Sequence, residues 1–275
     1  MTPAEAESPS GILLADKPAA ISSHDMVARA RRALGVRRVG HAGTLDPFAT
    51  GLLIVLVGRA TRLARYFTAL GKTYEVEVRL GATSSTGDPE GEITQTGQVP
   101  DTLVLPLGTL RQRPPAYSAV KIDGERAYAR ARRGEDVQTQ EREVTVFQSS
   151  VLWREGDRAA LRVVCSAGTY VRSLVADLGD AYCTALRRLA IGPFEVADAW
   201  PGEGVATPLQ IAAAWSRFAP IVALSPAEVD AAVHGRGVEG RGLAGAVLLV
   251  DGAGEAVAVA GEEDGVLRVQ VGLRG

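Results

Sequence analysis

The sequence predicts an α/β protein with a large N-terminal domain and a small β-rich C-terminal domain. An uninterrupted apolar run at residues 52–57 indicates a fully buried strand, and alternating apolar and charged residues over 74–80 indicate a strand with one buried face. Apolar residues also recur at helical spacing over residues 22–34. Towards the C-terminus, Asp-Gly pairs at 251–252 and 264–265 separate short apolar runs, which is typical of antiparallel hairpins.

The first half of the chain is expected to alternate strands and helices after a disordered tail at residues 1–10. Either Ser22 or Ser23 can cap a helix by accepting a hydrogen bond from its first turn. Residues 83–97 are rich in Gly, Ser, Thr and Asp, which indicates a loop. The predicted elements are a strand at 11–15, a helix from 22 or 23 to about 34, the strand at 52–57, a helix at 60–70, the strand at 74–80, and a helix at 125–133 inside a basic segment at 111–133.

The second half is expected to form a hairpin, a helix and then a separate group of short strands. Thr169 can cap the helix that follows it. The inner face of this helix carries Val171, Leu174, Val175 and Leu178. The other predicted elements are strands at 144–153 and 160–165 joined at 155–157, a strand at about 184–191, a connection at 201–208, a helix ending near 218, a helix at 226–234, and strands at 246–250, 255–260 and 266–271.

Charge is distributed unevenly along the 275 residues, although the net charge is only −2. Between Met26 and Tyr74 there are nine Arg or Lys residues and one carboxylate, Asp46, whereas from Asp198 onwards ten acids face five arginines. One region is therefore expected to meet a polyanion. Nearly all the positive charge is Arg, whose planar fork of donors suits phosphate, although an Arg-rich genome would produce the same bias.

Several classes of protein are disfavoured. Cys165 and Cys183 are too few for a disulfide scaffold and lack metal-binding spacing, so both are expected to be buried thiols. The three histidines, His24, His41 and His234, are far apart, which argues against metal catalysis. No Gly-x-Ser-x-Gly elbow or phosphate-binding glycine loop occurs. No signal region or membrane-length apolar run is present, so a cytoplasmic protein is expected.

Asp46, which lies in the glycine-rich stretch 40–51, is the acid that stands out, because it is the one carboxylate among the nine basic residues between Met26 and Tyr74. Nearby positive charge should hold its pKa below the ordinary value and keep it ionised. Gly43, Pro47 and Gly51 predict a tight backbone path around it. Two interpretations stay open from spacing alone: Asp46 is a carboxylate nucleophile, or it caps a turn that begins at Pro47.

Arg172 also conflicts with its local surroundings. It lies in the first turn of the predicted helix, where a positive charge is unfavourable to the helix dipole. Its side chain should therefore reach water or have an acidic partner. Tyr74 and Tyr170 each combine an aromatic ring with one polar group, as many ordinary core tyrosines do.

Four motifs together resemble the TruB type of bacterial tRNA pseudouridine synthases, which act on the tRNA T-loop. They are Leu-Ala-Asp-Lys-Pro at 14–18, Gly-His-Ala-Gly-Thr-Leu-Asp-Pro at 40–47 with its continuation to 51, the stretch 112–121, and Gly-Thr-Tyr-Val-Arg at 168–172. Residues 186–189, followed by Gly-Pro-Phe at 192–194, fit the same pattern.

The resemblance implies a role for each of several residues. Asp46 would be the nucleophile, Tyr74 would stack on the flipped uracil and move a carbon-bound proton, and Arg172 would pair with Asp46. His41 would enter the T-loop where the target base, at position 55, has left. Further contacts with substrate would come from Lys17, Pro18, Gly43, Arg113, Tyr117, Lys121, Tyr170 and Leu189. The family implies a monomer that needs no metal or cofactor, with tRNA as its partner.

The same resemblance implies a mixed, mostly antiparallel sheet flanked by helices over residues 11–215, with a basic RNA-binding insertion at about 98–134. Residues 218–275 would form a small PUA-like RNA-binding domain. Two departures stand out: Ser85 replaces the usual Asp, which leaves Asp46 or another acid such as Asp88 to hold Arg172, and residues 97–111 are shorter than usual. The alternative function is an RNA-binding or tRNA-folding protein without chemistry.

Overall fold

The computed structural model describes residues 9–118, 120–122 and 124–274, apart from the side chains of Lys121, Arg126, Ala129 and Arg132. Most of the predicted tail, residues 1–8, lies outside the described residues. The described chain forms a nine-stranded sheet, a five-stranded sheet near the C-terminus and two short hairpins.

Short and medium strands run through almost the whole described chain. They are β1 (Gly11–Lys17), β2 (Val39–Ala42), β3 (Thr50–Val57), β4 (Lys72–Leu80), β5 (Ala82–Ser84), β6 (Ile93–Gln95), β7 (Gly108–Gln112), β8 (Lys121–Ile122), β9 (Glu125–Arg126), β10 (Arg142–Glu155), β11 (Arg158–Cys165), β12 (Ala181–Ile191), β13 (Phe194–Glu195), β14 (Ile221–Ala223), β15 (Val238–Glu239), β16 (Ala246–Val250), β17 (Ala256–Glu263) and β18 (Val266–Gly272).

The helices are short by comparison. They are α1 (Ser23–Leu34), α2 (Ala64–Thr68), α3 (Ala127–Arg132), α4 (Val171–Ala176), α5 (Ile211–Trp215) and α6 (Pro226–Val233), with 3-10 turns at Gly58–Leu63 and Val196–Asp198. Among the described residues, no helix is long and apolar enough to cross a membrane.

The large sheet has the strand order β1-β3-β12-β4-β11-β10-β7, with β2 paired to β3 and β13 paired to β12. Within the described residues every neighbouring pair in it is antiparallel except β3 and β12. The expected mixed, mostly antiparallel sheet is therefore confirmed. The short parallel contact sets Thr50 opposite Arg187 and Gly51 opposite Arg188, so distant motifs meet at the sheet centre.

Strand β4 shows why the sequence pattern was informative. Its apolar residues at alternate positions are buried and the residues between them are half-exposed. Helix α4 packs its apolar side against this part of the sheet, in a core that includes Tyr74, Val76, Leu174 and Leu186. The strand thus carries Tyr74 and Lys72 on the same covered face, because side chains two residues apart point the same way.

The C-terminal sheet has the order β14-β16-β17-β18-β15 and shares an apolar core with the large sheet. Leu248 and Val259 from the small sheet pack in one cluster with Phe67 and Trp215. The domain limits 11–215 and 218–275, and the PUA-like nature of the small sheet, stay predictions.

Helix α1 begins where the sequence predicted. The Ser22 side chain accepts from the Asp25 backbone N–H at 3.2 Å, and the Asp25 carboxylate accepts from the Ser22 N–H at 2.8 Å. This reciprocal capping box is local in sequence, which explains the agreement. Cys165 and Cys183 are free and buried, as expected.

Four local predictions were wrong. Thr169 does not cap α4: Tyr170 is the N-cap residue, and the Thr169 hydroxyl donates to the Ser166 carbonyl at 3.0 Å. The helix predicted at 60–70 starts as a 3-10 turn, and its α-helical part ends at Thr68. The loop at 83–97 contains the β5–β6 hairpin. The helix at 125–133 begins later, at Ala127, because the two residues before it pair with β8.

Gly51 is required by the close approach of β3 to β12, which gives the first prediction. Its φ is +103°, and a Cβ added there would lie 2.2 Å from the Arg188 carbonyl oxygen. Gly51→Ala should lower the free energy of unfolding by roughly 3–5 kcal/mol, measured by urea denaturation. Gly35 is the matched control, because its φ is +65° and no described atom lies within 4 Å of an added Cβ. Gly35→Ala should cost only about 1 kcal/mol, and equal losses would contradict the steric argument.

Candidate active site

Asp46 lies on the loop between β2 and β3, and the backbone of this loop fixes its position. Gly43, at φ +90°, and Gly51 bend the backbone on either side, and the Ala49 N–H donates to the Asp46 carbonyl at 3.1 Å. No helix begins at Pro47. A turn does follow Asp46, but the Asp46 carboxylate lies 2.9 Å from Arg172 Nε, so its recorded partner is that guanidinium and not the backbone of the turn.

Lys17 anchors this loop. Its side chain is fully buried, and the Nζ atom donates to the carbonyls of Pro18 and Ile21 at 2.8 Å and of Pro47 at 3.1 Å. Burial lowers the pKa of Lys17 to about 8, while the Asp46 carboxylate acts in the opposite direction. The ammonium group thus holds the residue directly after Asp46.

Arg188 on β12 anchors the other side of the loop. Its Nε donates to the Leu52 carbonyl at 2.7 Å, and its Nη2 donates to the Gly43 carbonyl at 3.1 Å. The side chain is almost completely buried. Sequence reasoning gave Arg188 no role, because its contacts depend on the short parallel pairing of β3 with β12.

Arg172 is buried and lies between two carboxylates. Its Nε is 2.9 Å from Asp46 Oδ2, and its Nη1 is 3.1 Å from Asp88 Oδ2. Nη1 also donates to the Thr86 carbonyl at 2.7 Å, and Nη2 donates to the Tyr117 carbonyl at 2.8 Å. The predicted conflict at the start of α4 is therefore resolved by acidic partners rather than by water.

Asp88 supplies the acid that is missing at position 85. Ser85 is exposed, and its hydroxyl accepts from the Glu92 N–H at 2.9 Å. Asp88, three residues later, is buried and accepts from the Thr86 hydroxyl at 2.5 Å and the Glu90 N–H at 3.1 Å. These contacts orient the Asp88 carboxylate towards the guanidinium.

The expectation that the pKa of Asp46 is lowered was wrong in direction. Desolvation raises the pKa of this carboxyl above its ordinary value, and Asp88 raises it further. Arg172 and Lys17 oppose the rise but do not reverse it. Sequence shows the neighbouring charges, whereas the burial that outweighs them appears only in the folded chain.

A cavity of about 300 Å³, here called the Tyr74 cavity, opens in front of Asp46. Its walls include Tyr74 on β4, Tyr170 at the start of α4 and Leu186 on β12. Burial raises the pKa of Tyr74, although the neighbouring Arg188 guanidinium lowers it. The cations that line this cavity are Lys72, Arg142, Arg172 and Arg188.

A second cavity, of about 210 Å³, shares Asp46 and Arg172 with the first. It is lined by His24, Asp88, Tyr117 and Tyr128, together with Asp46 and Arg172. The Asp46–Arg172 pair thus belongs to the walls of both cavities. The Tyr74 cavity is the one that combines a carboxylate, a buried phenol and an aromatic wall, a set suited to holding and reacting a planar ring.

Comparisons with known proteins assign the chain to a family. Residues 31–171 match the sequence profile of the TruB family pseudouridylate synthases, N-terminal domain. The chain belongs to the TruB family. It is 42% identical to the tRNA pseudouridine synthase B of Thermobifida fusca, over 93% of this chain and 95% of that protein. It is 39% identical to the protein of the same name from Corynebacterium aurimucosum, over 92% and 93% of the two chains.

Solved structures agree on the fold. A chain of a Cbf5-Nop10-Gar1 complex matches with a TM-score of 0.67 and 25% identity, covering 95% of this chain and 83% of that one. A chain of an H/ACA RNP bound to a substrate RNA containing 2′-deoxyuridine matches with a TM-score of 0.68 and 22% identity, over 96% and 85%. The TruB family assignment makes this protein a pseudouridine synthase, an isomerase that modifies RNA.

Most residues that the TruB resemblance singled out lie around the Asp46 loop. Gly43, Tyr74, Tyr170 and Arg172 line the Tyr74 cavity, and Tyr117 lines the second one. Gln112, which was not singled out, fixes Tyr170: its amide accepts from the Tyr170 N–H at 2.7 Å and donates to the Tyr170 carbonyl at 2.9 Å.

Other predicted contacts lie outside both cavities. Leu189 falls at a bulge of β12, so that Leu186 and Arg188 line the Tyr74 cavity instead. Pro18 and Arg113 are exposed, and Arg113 pairs with Glu141 at 3.2 Å. The Lys121 side chain lies outside the described residues. The ring of His41 packs edge to face on His24 at 5.4 Å.

Proposed function

We propose that this TruB enzyme isomerises uridine 55 in the T-loop of tRNA and that Asp46 is the nucleophile. The observation that carries the proposal is the Asp46 carboxylate, which lines the Tyr74 cavity and lies 2.9 Å from the buried Arg172. The tRNA substrate follows the names of the relatives, which are tRNA pseudouridine synthases. The T-loop position rests on the family resemblance of the motifs.

The target base must leave the folded RNA to reach Asp46, at a cost of a few kcal/mol. The cavity of about 300 Å³ has room for a flipped uracil, with Tyr74 and Tyr170 in its walls. Asp46 then attacks the sugar or the ring, the bond from N1 to the sugar breaks, and C5 takes the place of N1. The raised pKa of Tyr74 keeps its phenol protonated, which favours stacking over action as a phenolate base.

RNA binding is supported by a group of arginines that have no acid beside them. Within the described residues, six arginines of the segment 31–65 form no ion pair with a carboxylate: Arg31, Arg32, Arg37, Arg38, Arg62 and Arg65. In contrast, later arginines such as Arg158, Arg236 and Arg268 each have an acidic partner. Phosphates are therefore drawn to the first group.

The direct test of the proposal is modified-nucleoside analysis. Unmodified tRNA transcript incubated with the pure protein should yield one pseudouridine, mapped to position 55 by chemical modification and primer extension. A transcript with cytidine at position 55 is the control and should yield none. Tight tRNA binding without pseudouridine would overturn the proposal and favour the non-catalytic RNA-binding function.

The six arginines without an acidic partner give a separate prediction about the affinity for tRNA. A double variant, Arg37→Ala with Arg38→Ala, should weaken tRNA binding and make its salt dependence shallower by roughly 0.7 log unit per log unit of salt for each phosphate that is no longer neutralised. Equilibrium binding from low to moderate salt measures this slope. The matched control removes two arginines that already have acidic partners, Arg158 and Arg162. An unchanged slope for the first variant would argue against phosphate binding on this surface.

A further inference from the structure

Within the part of the chain that the structure describes, two buried cations in the lining of the Tyr74 cavity have no carboxylate counterion. Lys72 and Arg188 are 6% and 1% exposed, and both line the cavity. The contacts that fix them are to backbone carbonyls: Lys72 donates to Thr68 and Leu70 at 2.6 and 2.5 Å, and Arg188 to the Asp46 loop and β3. Among the described residues neither forms an ion pair with a carboxylate.

The other charges around the cavity do not neutralise these two. Asp46, the only acid among the described lining residues, pairs with Arg172, which also faces Asp88. Arg142 lies at the wall, with its guanidinium 5.3 Å from the centre of the Tyr170 ring. The lining therefore carries a local excess of positive charge.

Such an arrangement is costly unless something negative enters the cavity. A buried charge without a partner loses solvation that carbonyl dipoles restore only in part. Burial and the nearby Arg188 guanidinium lower the pKa of Lys72 to about 8, which reflects that cost. At pH 7 the ammonium form of Lys72 still predominates, so the cavity presents a positive charge that an anion would neutralise.

We infer that Lys72 and Arg188 stabilise the negative charge that develops on the uracil ring during the isomerisation. This inference rests on the proposed function, since it requires the flipped uracil in the Tyr74 cavity. If Asp46 attacks the sugar at C1′, the N1–C1′ bond breaks and its electron pair passes to N1, shared with O2 and O4. If Asp46 attacks the ring at C6, the C5–C6 π electrons pass through C5 to O4, and the N1–C1′ bond then breaks as C5 bonds to C1′, with the N1–C1′ electron pair passing to N1.

Both routes make the ring anionic and then return it to neutrality. The C5–C1′ bond forms, the bond to Asp46 breaks, C5 loses its proton and N1 gains one, so that no co-reactant is consumed. Uridine itself is neutral and gains little from the two cations, whereas the anionic intermediate gains much. Lys72 and Arg188 therefore lower the barrier through an interaction that strengthens as the reaction proceeds.

Binding of free pyrimidines tests the inference without turnover. At pH 7 uracil is neutral and 5-nitrouracil is an anion of similar shape, so wild-type enzyme should bind 5-nitrouracil at least about tenfold more tightly. Lys72→Met should remove most of this preference and Lys72→Arg should keep it. Asp46→Asn should increase it, because a like charge leaves the cavity. Equal affinity of the wild type for the two pyrimidines would overturn the inference.

Kinetics on tRNA separate this role from RNA binding. Lys72→Met should lower kcat by roughly 10–100-fold and leave KM within about threefold, because the interaction arises during the reaction. A raised KM with unchanged kcat, or inorganic phosphate binding more tightly than 5-nitrouracil, would show that the cations bind an RNA phosphate and would overturn the inference.

Two controls accompany these measurements. Lys72→Arg should keep most activity, and thermal unfolding of both Lys72 variants excludes misfolding as the cause of a lower kcat. Failure of wild-type enzyme to make pseudouridine would overturn the proposed function, whereas the pyrimidine preference is measured independently.

Discussion

Asp46→Asn should abolish pseudouridine formation and leave tRNA affinity within about threefold of the wild type. The amide fills the same space beside Arg172 but cannot act as a carboxylate nucleophile. We expect kcat to fall by at least about 10⁴-fold, since removal of a nucleophile eliminates the covalent route. Single-turnover nucleoside analysis measures the rate, and equilibrium binding measures the affinity. Residual activity close to the wild type would show that the nucleophile is another group.

The stability of this variant provides its own control. The pKa of Asp46 is raised in the folded protein, so at neutral pH its ionised form is less favourable there than in the unfolded chain. Asp46→Asn removes that cost and leaves Arg172 paired with Asp88. The free energy of unfolding should therefore stay equal or rise. Asp157, whose carboxylate pairs with Arg79 outside both cavities, is the matched control, and Asp157→Asn should keep full activity.

Sequence predicted those features that depend on neighbours along the chain. The cap at Ser22 and the alternation of β4 need only a few adjacent residues, and both agree with the structure. The motif around Asp46 singled out, for the same reason, a loop whose residues line the Tyr74 cavity. The sign of the Asp46 pKa shift was wrong because burial depends on the whole fold.

Residues brought in by long-range pairing were beyond sequence reasoning. Arg188 reaches the Asp46 loop through a parallel contact of only two residue pairs, which no local pattern marks. Asp88 differs from Arg188 in this respect, because the sequence already offered it as an acid that could hold Arg172 in place of residue 85, and it does lie 3.1 Å from the guanidinium. Lys72 could have been noticed, because it lies two residues before Tyr74 and so shares its strand face.

Arg172→Met should unfold the enzyme more readily than any other single change to the ion pairs of this site. It would leave Asp46 and Asp88 facing each other without a cation and leave the carbonyls of Thr86 and Tyr117 without a donor. Breaking one side of a buried pair costs about 3–5 kcal/mol, measured as the free energy of unfolding in urea. Arg162→Met is the matched control, because its pair with Glu75 is half-exposed and should contribute less than about 1 kcal/mol.

A second substitution shows whether lost charge compensation or lost packing causes the loss of stability in Arg172→Met. If uncompensated carboxylate charge causes the loss, Asp88→Asn in the Arg172→Met background should recover part of the stability, because one unpaired buried anion is removed. Activity should not return, since Asp46 would still lack the cation that lies 2.9 Å from its carboxylate. A double variant that is less stable than Arg172→Met alone would show instead that lost packing dominates. Arg172 thus joins the two halves of the site: the Asp46 carboxylate, which is the proposed nucleophile, and the Asp88 hairpin and Tyr117 segment that hold the guanidinium in place.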